Sequence, residues 1–329
     1  MKKYLFILSQ IIFISSLQAL IINGWIQPKN IPVPDDNPLT KEKIELGKLL
    51  FFDKRLSANN DISCASCHDP KKGWSDGVPK AIGDQQKVGR RNSPTILNSA
   101  YLEKFFHDGR ANSLEEQALG PIEAEVEMNM PIEKLVKKLN NINGYKKLFA
   151  KAFGSEEITK ENIVKAIASF ERTIVSANTK FYRYITGDEK ALSKVEQIGF
   201  DIFLNEGRCN SCHNGFNFTN ESFNNVGLND TQDLGVYELN QQRLWYGSFK
   251  TPTLLDIEKT APYFHDGSVA TLKEAVTLCG NGGRRPVTIR SPFFRDRELS
   301  EEEVDFVVAF LKTLSTEELN ITIPTIFPQ

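Results

Sequence analysis

Two pentapeptides, Cys64-Ala65-Ser66-Cys67-His68 and Cys209-Asn210-Ser211-Cys212-His213, constrain this chain more than any other feature. Cysteines three positions apart with a histidine directly after the second form the pattern that fixes a haem through two thioether bonds and offers a neighbouring imidazole to its iron. The pattern predicts two c-type haems, one attached at Cys64 and Cys67 with His68, the other at Cys209 and Cys212 with His213. A zinc site would need four ligands converging on one ion. A thioredoxin-like motif would need alternating strands and helices around its cysteines, and neither flank shows them.

The chain has five cysteines, so Cys279 alone is left over and no disulfide framework remains. It has four histidines, of which His107 and His265 are not part of the motifs. With 329 residues there is room for two ordinary domains, and a net charge of −2 with 25% charged residues gives no basic excess for nucleic acid. Residues 1–22 resemble a secretory signal: Lys2 and Lys3, an apolar run from Tyr4 to Ile14, then Ser15, Ser16 and Ala19. Covalent haem attachment agrees with export to the periplasm. The competing reading is an uncleaved anchor, because apolar residues resume at Leu20 and continue to Ile26.

Anchored on the two pentapeptides, the chain repeats itself. Gly47 and Phe51 precede the first, and Gly199 and Phe203 the second, on a pattern that predicts a helix with a close-contact glycine. Ser193 with Glu196, and Ser300 with Glu303, predict capping boxes. Ser93-Pro94-Thr95 leads to Phe106-His107-Asp108-Gly109, and Thr251-Pro252-Thr253 leads to Phe264-His265-Asp266-Gly267, at the same thirteen-residue interval from Pro to His. Each half closes on an apolar stripe, Ile163, Ile167, Phe170 and Ile174 in the first, Val304, Val307, Val308, Leu311 and Leu314 in the second. Strand signals are scarce and Gly215 to Phe249 is loop-like in composition, so the fold class is all-α: two cytochrome c-like domains, residues 30–180 and 181–329.

The segments Arg90-Arg91-Asn92-Ser93-Pro94-Thr95, Leu114 to Pro121 with Glu125-Val126-Glu127, and Ser169-Phe170-Glu171-Arg172-Thr173, read with both haem motifs, resemble the bacterial di-haem cytochrome c peroxidase and MauG family. The resemblance extends from about Pro34 to Leu314. It implies that the first haem is peroxidatic, with a distal amide and carboxylate matching Gln117 and Glu127. A carboxylate there takes a proton from the near oxygen of peroxide and returns one to the leaving oxygen, while an amide orients without titrating. Spacing alone leaves Glu127 one member of a solvated acidic run with Glu115, Glu116, Glu123 and Glu125.

Three positions depart from the family pattern. Members that need reductive activation carry a His in the loop where this chain has Asp84. A Trp between the haems is replaced by His107, for which a hydrogen-bonded core or propionate-partner role outweighs a relay. The sixth ligand of the second haem, Met or Tyr in the family, aligns with Cys279, and the only methionines are Met1, Met128 and Met130. Cys279 is therefore the candidate axial ligand, a sulfur that as thiolate lowers the potential. The resemblance also implies a calcium ion on the Asn92 side chain and the Thr260 and Pro262 carbonyls. Its activity would be reduction of hydrogen peroxide with electrons from a small cytochrome c, a cupredoxin or a quinol pathway, and it allows a homodimer. A MauG-like enzyme storing oxidising equivalents at high-valent iron to oxidise a protein is the nearest alternative. A non-catalytic di-haem electron carrier is the alternative from another class.

Overall fold

The computed structural model describes residues 24–228, 232–283, 291, 298–317, 319 and 321–329, so the leader expected at 1–22 lies outside the described residues. It is all-α. Eleven helices occur among the described residues: α1 (Lys41–Phe52), α2 (Cys64–Cys67), α3 (Leu114–Glu123), α4 (Ile132–Asn140), α5 (Asn143–Phe153), α6 (Lys160–Glu171), α7 (Lys180–Ile185), α8 (Lys194–Leu204), α9 (Tyr237–Asn240), α10 (Leu272–Gly280) and α11 (Glu301–Lys312). Within the loop-like stretch from Gly215 to Phe249, two-residue strands β1 (Phe223–Asn224) and β2 (Phe249–Lys250) pair antiparallel.

Each half is built on one helix crossing, and a glycine sets its closeness. A Cβ on Gly47 of α1 would strike the Ala166 carbonyl of α6 and come within 3.0 Å of the Phe170 Cβ. A Cβ on Gly199 of α8 would strike the Phe306 carbonyl of α11 and come within 2.9 Å of the Phe310 Cβ. Without a side chain on the glycine, the two backbones touch and the flanking aromatics interlock. The rings confirm the repeat. Phe51, Trp74 and Phe170 form a triangle with centroid separations of 5.2, 6.2 and 6.3 Å. Phe203, Phe218 and Phe310 form its counterpart at 5.2, 6.1 and 6.2 Å. Edge-on contacts dominate both, the arrangement that ring quadrupoles favour.

Capping is as the sequence predicts. Ser193 and Ser300 accept from the Glu196 and Glu303 amides, and each glutamate reaches back to its serine N–H at 2.7 Å. These boxes fix where α8 and α11 start, and hence the register of the second crossing.

The halves meet about an approximate two-fold relation. Asn92, just before Ser93-Pro94-Thr95, donates its N–H to the His265 carbonyl at 2.7 Å. Lys250, just before Thr251-Pro252-Thr253, donates its N–H to the His107 carbonyl, also at 2.7 Å. Corresponding residues of each repeat thus hold the histidine segment of the other. Arg91 closes the junction from the side, pairing with Asp108 of the first half at 2.6 Å and with Asp233 of the second at 2.7 Å. Both carboxylates are buried.

Segments near the ends cross over as well. Trp25 packs its ring 4.8 Å from Phe218 and 6.0 Å from Phe181, inside the second half's aromatic cluster. At the other end the Gln329 carbonyl accepts the Gly144 N–H at 2.7 Å, and the Pro328 carbonyl accepts Arg55 Nη1 at 2.9 Å. Among the described residues no helix is long and apolar enough to cross a membrane.

Candidate functional site

The first pentapeptide forms α2, started by Ser63, whose N–H donates to the Ser66 hydroxyl at 3.0 Å. One helical turn puts Cys64 and Cys67 on the same side, and the His68 N–H closes it on the Cys64 carbonyl at 3.0 Å. The imidazole of His68 then donates from Nδ1 to the Trp74 carbonyl at 3.1 Å. With that nitrogen committed as donor, Nε2 carries the lone pair that an iron needs. Burial lowers the pKa of His68, further favouring the neutral ring.

The second pentapeptide repeats this design with different parts. Cys209–Ser211 is a 3-10 turn, the His213 N–H donates to the Cys209 carbonyl at 2.8 Å, and Nδ1 donates to the Phe218 carbonyl at 3.0 Å. Burial pushes His213 down to about 4. The Pro94 and Pro252 carbonyls of the repeated Ser/Thr-Pro-Thr segments bear on His68 and His213 respectively. Trp74 and Phe218 are missing from the sequence reading of ligand support. Both are buried and adopt left-handed backbone, φ 63° and 49°, which turns their carbonyls onto the rings. They stand six and five residues after their histidines, so simple alignment hides the equivalence. Paired cysteines, a histidine with the correct nitrogen free, and an aromatic wall fit a covalently held haem at each site.

Gln117 and Glu127 lie on a segment that folds back on itself. Ser113 caps α3 by accepting the Glu116 N–H at 3.0 Å, and Gln117 follows in the first turn, partly buried. Pro121 sits inside the helix without an N–H, so the Gln117 carbonyl lacks its usual donor. After Ala124 the chain reverses, and Met128 N–H donates to the Pro121 carbonyl at 3.0 Å. That reversal lays Glu127 along α3. The charge of Glu127 bears on both Cys64 and Cys67, and its side chain is only partly exposed, unlike those of Glu123 and Glu125. Burial raises its pKa, with Arg110 opposing. A carboxyl with its pKa raised in this way gives up its proton less readily than an ordinary glutamate and is suited to proton exchange.

Asp84, at the family's histidine position, is fully buried and braces that reversal. Its carboxylate accepts Asn59 Nδ2 at 2.8 Å and Asn129 Nδ2 at 3.1 Å, and its N–H donates to the Glu127 carbonyl at 2.6 Å. Burial alone would raise its pKa, but the amide donors hold it below the ordinary value. A Cβ on Gly83 would collide with the Val126 carbonyl, so loop and reversal are locked face to face.

At the junction, His107 Nε2 bonds the Asn92 carbonyl at 2.9 Å, and burial pushes its pKa down to about 4. It is a neutral, hydrogen-bonded histidine. His265 stacks on Phe249 at 3.6 Å and 12°. Asn92 Nδ2 donates to the Val78 carbonyl at 2.8 Å, leaving Oδ1 as the side chain's acceptor. The Thr260 and Pro262 carbonyls accept no backbone hydrogen bond among the described residues. Cys279 lies on α10 within electrostatic reach of Cys209 and Cys212. Its side chain is exposed, while desolvation by the surrounding chain pushes its thiol up to about 12.

The sequence profile of the family described as di-haem cytochrome c peroxidase matches residues 41–190. The methylamine utilization protein MauG of Methylorubrum extorquens is 41% identical over 305 residues, covering 91% of this chain and 85% of that protein. The cytochrome c551 peroxidase of Nitrosomonas europaea is 37% identical, covering 95% and 92%. A crystal structure of a MauG-like protein associated with microbial copper homeostasis superposes with a TM-score of 0.83 at 32% identity, covering 89% of this chain and 95% of that one.

Proposed function

The chain belongs to the di-haem cytochrome c peroxidase and MauG family, and on that premise we propose that it reduces hydrogen peroxide to water at a first haem held by Cys64, Cys67 and His68, with electrons relayed through a second held by Cys209, Cys212 and His213. It is a haem oxidoreductase of the peroxidase type. The observation that supports the reading is Glu127, partly exposed, raised in pKa by desolvation and acting electrostatically on Cys64 and Cys67. When bound, the haems supply an open coordination position at the first site and an electron path at the second. Glu127 accepts the proton from the near oxygen of peroxide and hands one to the leaving oxygen. Gln117 orients peroxide without titrating. Asp84 holds the Glu127 turn in place.

We assign the peroxidatic half to residues 30–180 and the electron-transfer half to 181–329. Cys279, on α10 and within electrostatic reach of Cys209 and Cys212, would supply a sulfur ligand to the second haem. A calcium ion on Asn92 Oδ1 and the Thr260 and Pro262 carbonyls suits three neutral oxygens at the junction. The donor is a small cytochrome c, a cupredoxin or a quinol pathway, and the site of action is the periplasm, the protein working as a monomer or homodimer. The absence of a methionine at the second haem, together with 41% identity to MauG, favours as a second reading the oxidation of a protein substrate at the peroxide level.

Electron paramagnetic resonance of the resting ferric protein tests the scheme. One high-spin and one low-spin signal are expected, and two low-spin signals would instead describe an electron carrier. In Cys279→Ala the low-spin signal is expected to change, and its persistence unaltered would remove Cys279 as ligand. Peroxide turnover with a reduced cytochrome, set against oxidation of a candidate protein, separates the two enzymatic readings.

A further inference from the structure

Glu171 is a buried carboxyl that peroxide chemistry does not use. It ends α6, is 4% exposed, and its Oε2 is enclosed with no hydrogen-bond partner. Nearly all buried polar atoms in proteins are paired, so an orphaned carboxylate oxygen calls for a functional explanation. Burial pushes the group up to about 8, with Glu115 adding to the rise and Arg172 opposing it. After burial itself, Glu171 is the largest influence on Cys64, ahead of Cys67 and Glu127.

The internal repeat supplies a control within the same molecule. Phe170 and Phe310 meet Gly47 and Gly199 in the same way. Thr173 and Thr313 each donate a hydroxyl to those phenylalanines' carbonyls at 2.6 Å. Ile174 and Leu314 accept from Asn98 and Asp256, at 2.9 and 3.1 Å. Glu171 therefore corresponds to Leu311, which is also 4% exposed. The fold needs an apolar side chain here, and the second half has one. Only the first half, the one with the distal carboxylate, places an ionisable group at this position.

The surrounding charges are already spoken for. Arg172 pairs with Glu115 of α3 through both nitrogens, at 2.7 and 2.8 Å. Lys43 of α1 is held by Asn37 Oδ1 and the Pro38 carbonyl, both at 3.1 Å. Lys165 of α6 is paired with Asp36. On α4, Glu133, Lys134 and Lys137 are exposed, and Lys138 is tied to the Arg55 carbonyl. Glu127 and Glu171 each act on Cys64, but neither perturbs the other. They bear on the first site independently.

We propose that Glu171 is a proton-binding site coupled to the charge of the first haem, taking up a proton from solvent when that haem is reduced and releasing it on oxidation. A ferric iron carries one more positive charge than a ferrous one, and that charge favours the carboxylate. The electron comes from the donor, the proton from water, and the carboxylate becomes a carboxylic acid with no other bond made or broken. The half of the molecule that consumes protons with peroxide thereby receives its electron already charge-compensated. The inference rests on haem attachment at Cys64 and Cys67.

The test is spectroelectrochemical titration of both haems in the full-length holoprotein across neutral pH, for wild type, Glu171→Gln, Glu171→Leu and Glu127→Gln. The wild-type potential of the first haem is expected to fall with rising pH by about one proton per electron. In both Glu171 variants the slope is expected to fall to whatever Glu127 contributes, with the potential held near the wild-type acid limit, while Glu127→Gln keeps most of the slope. Infrared difference spectra of the wild type should show a carboxylic acid C=O band that appears on reduction and shifts in heavy water, so the inference is tested even if a variant does not fold. An unchanged slope in Glu171→Gln, or no such band in the wild type, overturns the coupling and leaves the peroxidase reading intact. A haemochrome assay finding no haem on the first pair of cysteines overturns both.

Discussion

At the scale of single residues the chemistry depends on which carboxyls are buried and which donors reach them. Glu127, partly exposed, is raised by desolvation, whereas Asp84, fully buried, is held below its ordinary value by Asn59 and Asn129. The contrast assigns one to proton exchange and the other to bracing. Replacing Glu127 by Gln is expected to lower peroxide turnover by about 10²- to 10⁴-fold, the usual worth of a positioned general acid-base, with both haem spectra retained. Because the Glu127 pKa is raised, the wild-type rate should fall on acidification at a pH above the ordinary carboxylate range, and that limb should vanish in the variant. The proposed haem-attachment residues stand out in the sequence because attachment chemistry would fix their spacing. Trp74 and Phe218 were not, since what they contribute is a carbonyl turned by left-handed backbone, and any side chain supplies a carbonyl. Glu171 was passed over inside an apolar stripe, although setting it against Leu311 would have exposed it.

The helix crossings carry the next level of organisation. Gly47 and Gly199 announce them in the sequence, because a glycine four residues before a phenylalanine on an amphipathic helix signals close approach. Alanine would gain about 1 kcal/mol of helix propensity at either site. Its Cβ would nevertheless meet a carbonyl oxygen of the partner helix, and overpacking of that kind costs about 3 kcal/mol. Urea denaturation of Gly47→Ala and Gly199→Ala should therefore show lowered midpoints, and wild-type midpoints would mean that the helices can separate freely. The short strands β1 and β2 had no sequence signal, since two residues cannot display a period. Beside the pair, the Lys250 N–H bonds the His107 carbonyl and the Thr251 N–H bonds the Ser222 carbonyl.

On the scale of the whole molecule the two halves are joined by exchanged backbone bonds and by Arg91. Arg91 outweighs the burial of Asp233 and depresses its pKa from 3.8 to about 2. A depressed carboxyl contributes stability above its unfolded pKa and loses it as pH falls through the folded one, so about 2 kcal/mol should disappear between pH ~4 and pH ~2. Arg91→Met leaves Asp233 with Arg90 at 3.3 Å and Asp108 with Arg110, and is expected to cost about 3 kcal/mol and to remove part of that acid sensitivity. Thermal unfolding as a function of pH measures both effects. The crossed segments reach further than the junction itself. Trp25 completes the second half's aromatic cluster, and residues 328 and 329 complete a surface around Arg55 and Gly144 of the first. A growing polypeptide makes residue 329 long after residue 144, so the earlier half stays unlatched while the later one is still being synthesised. The contacts at Arg55 and Gly144 are thus among the last that the first half acquires.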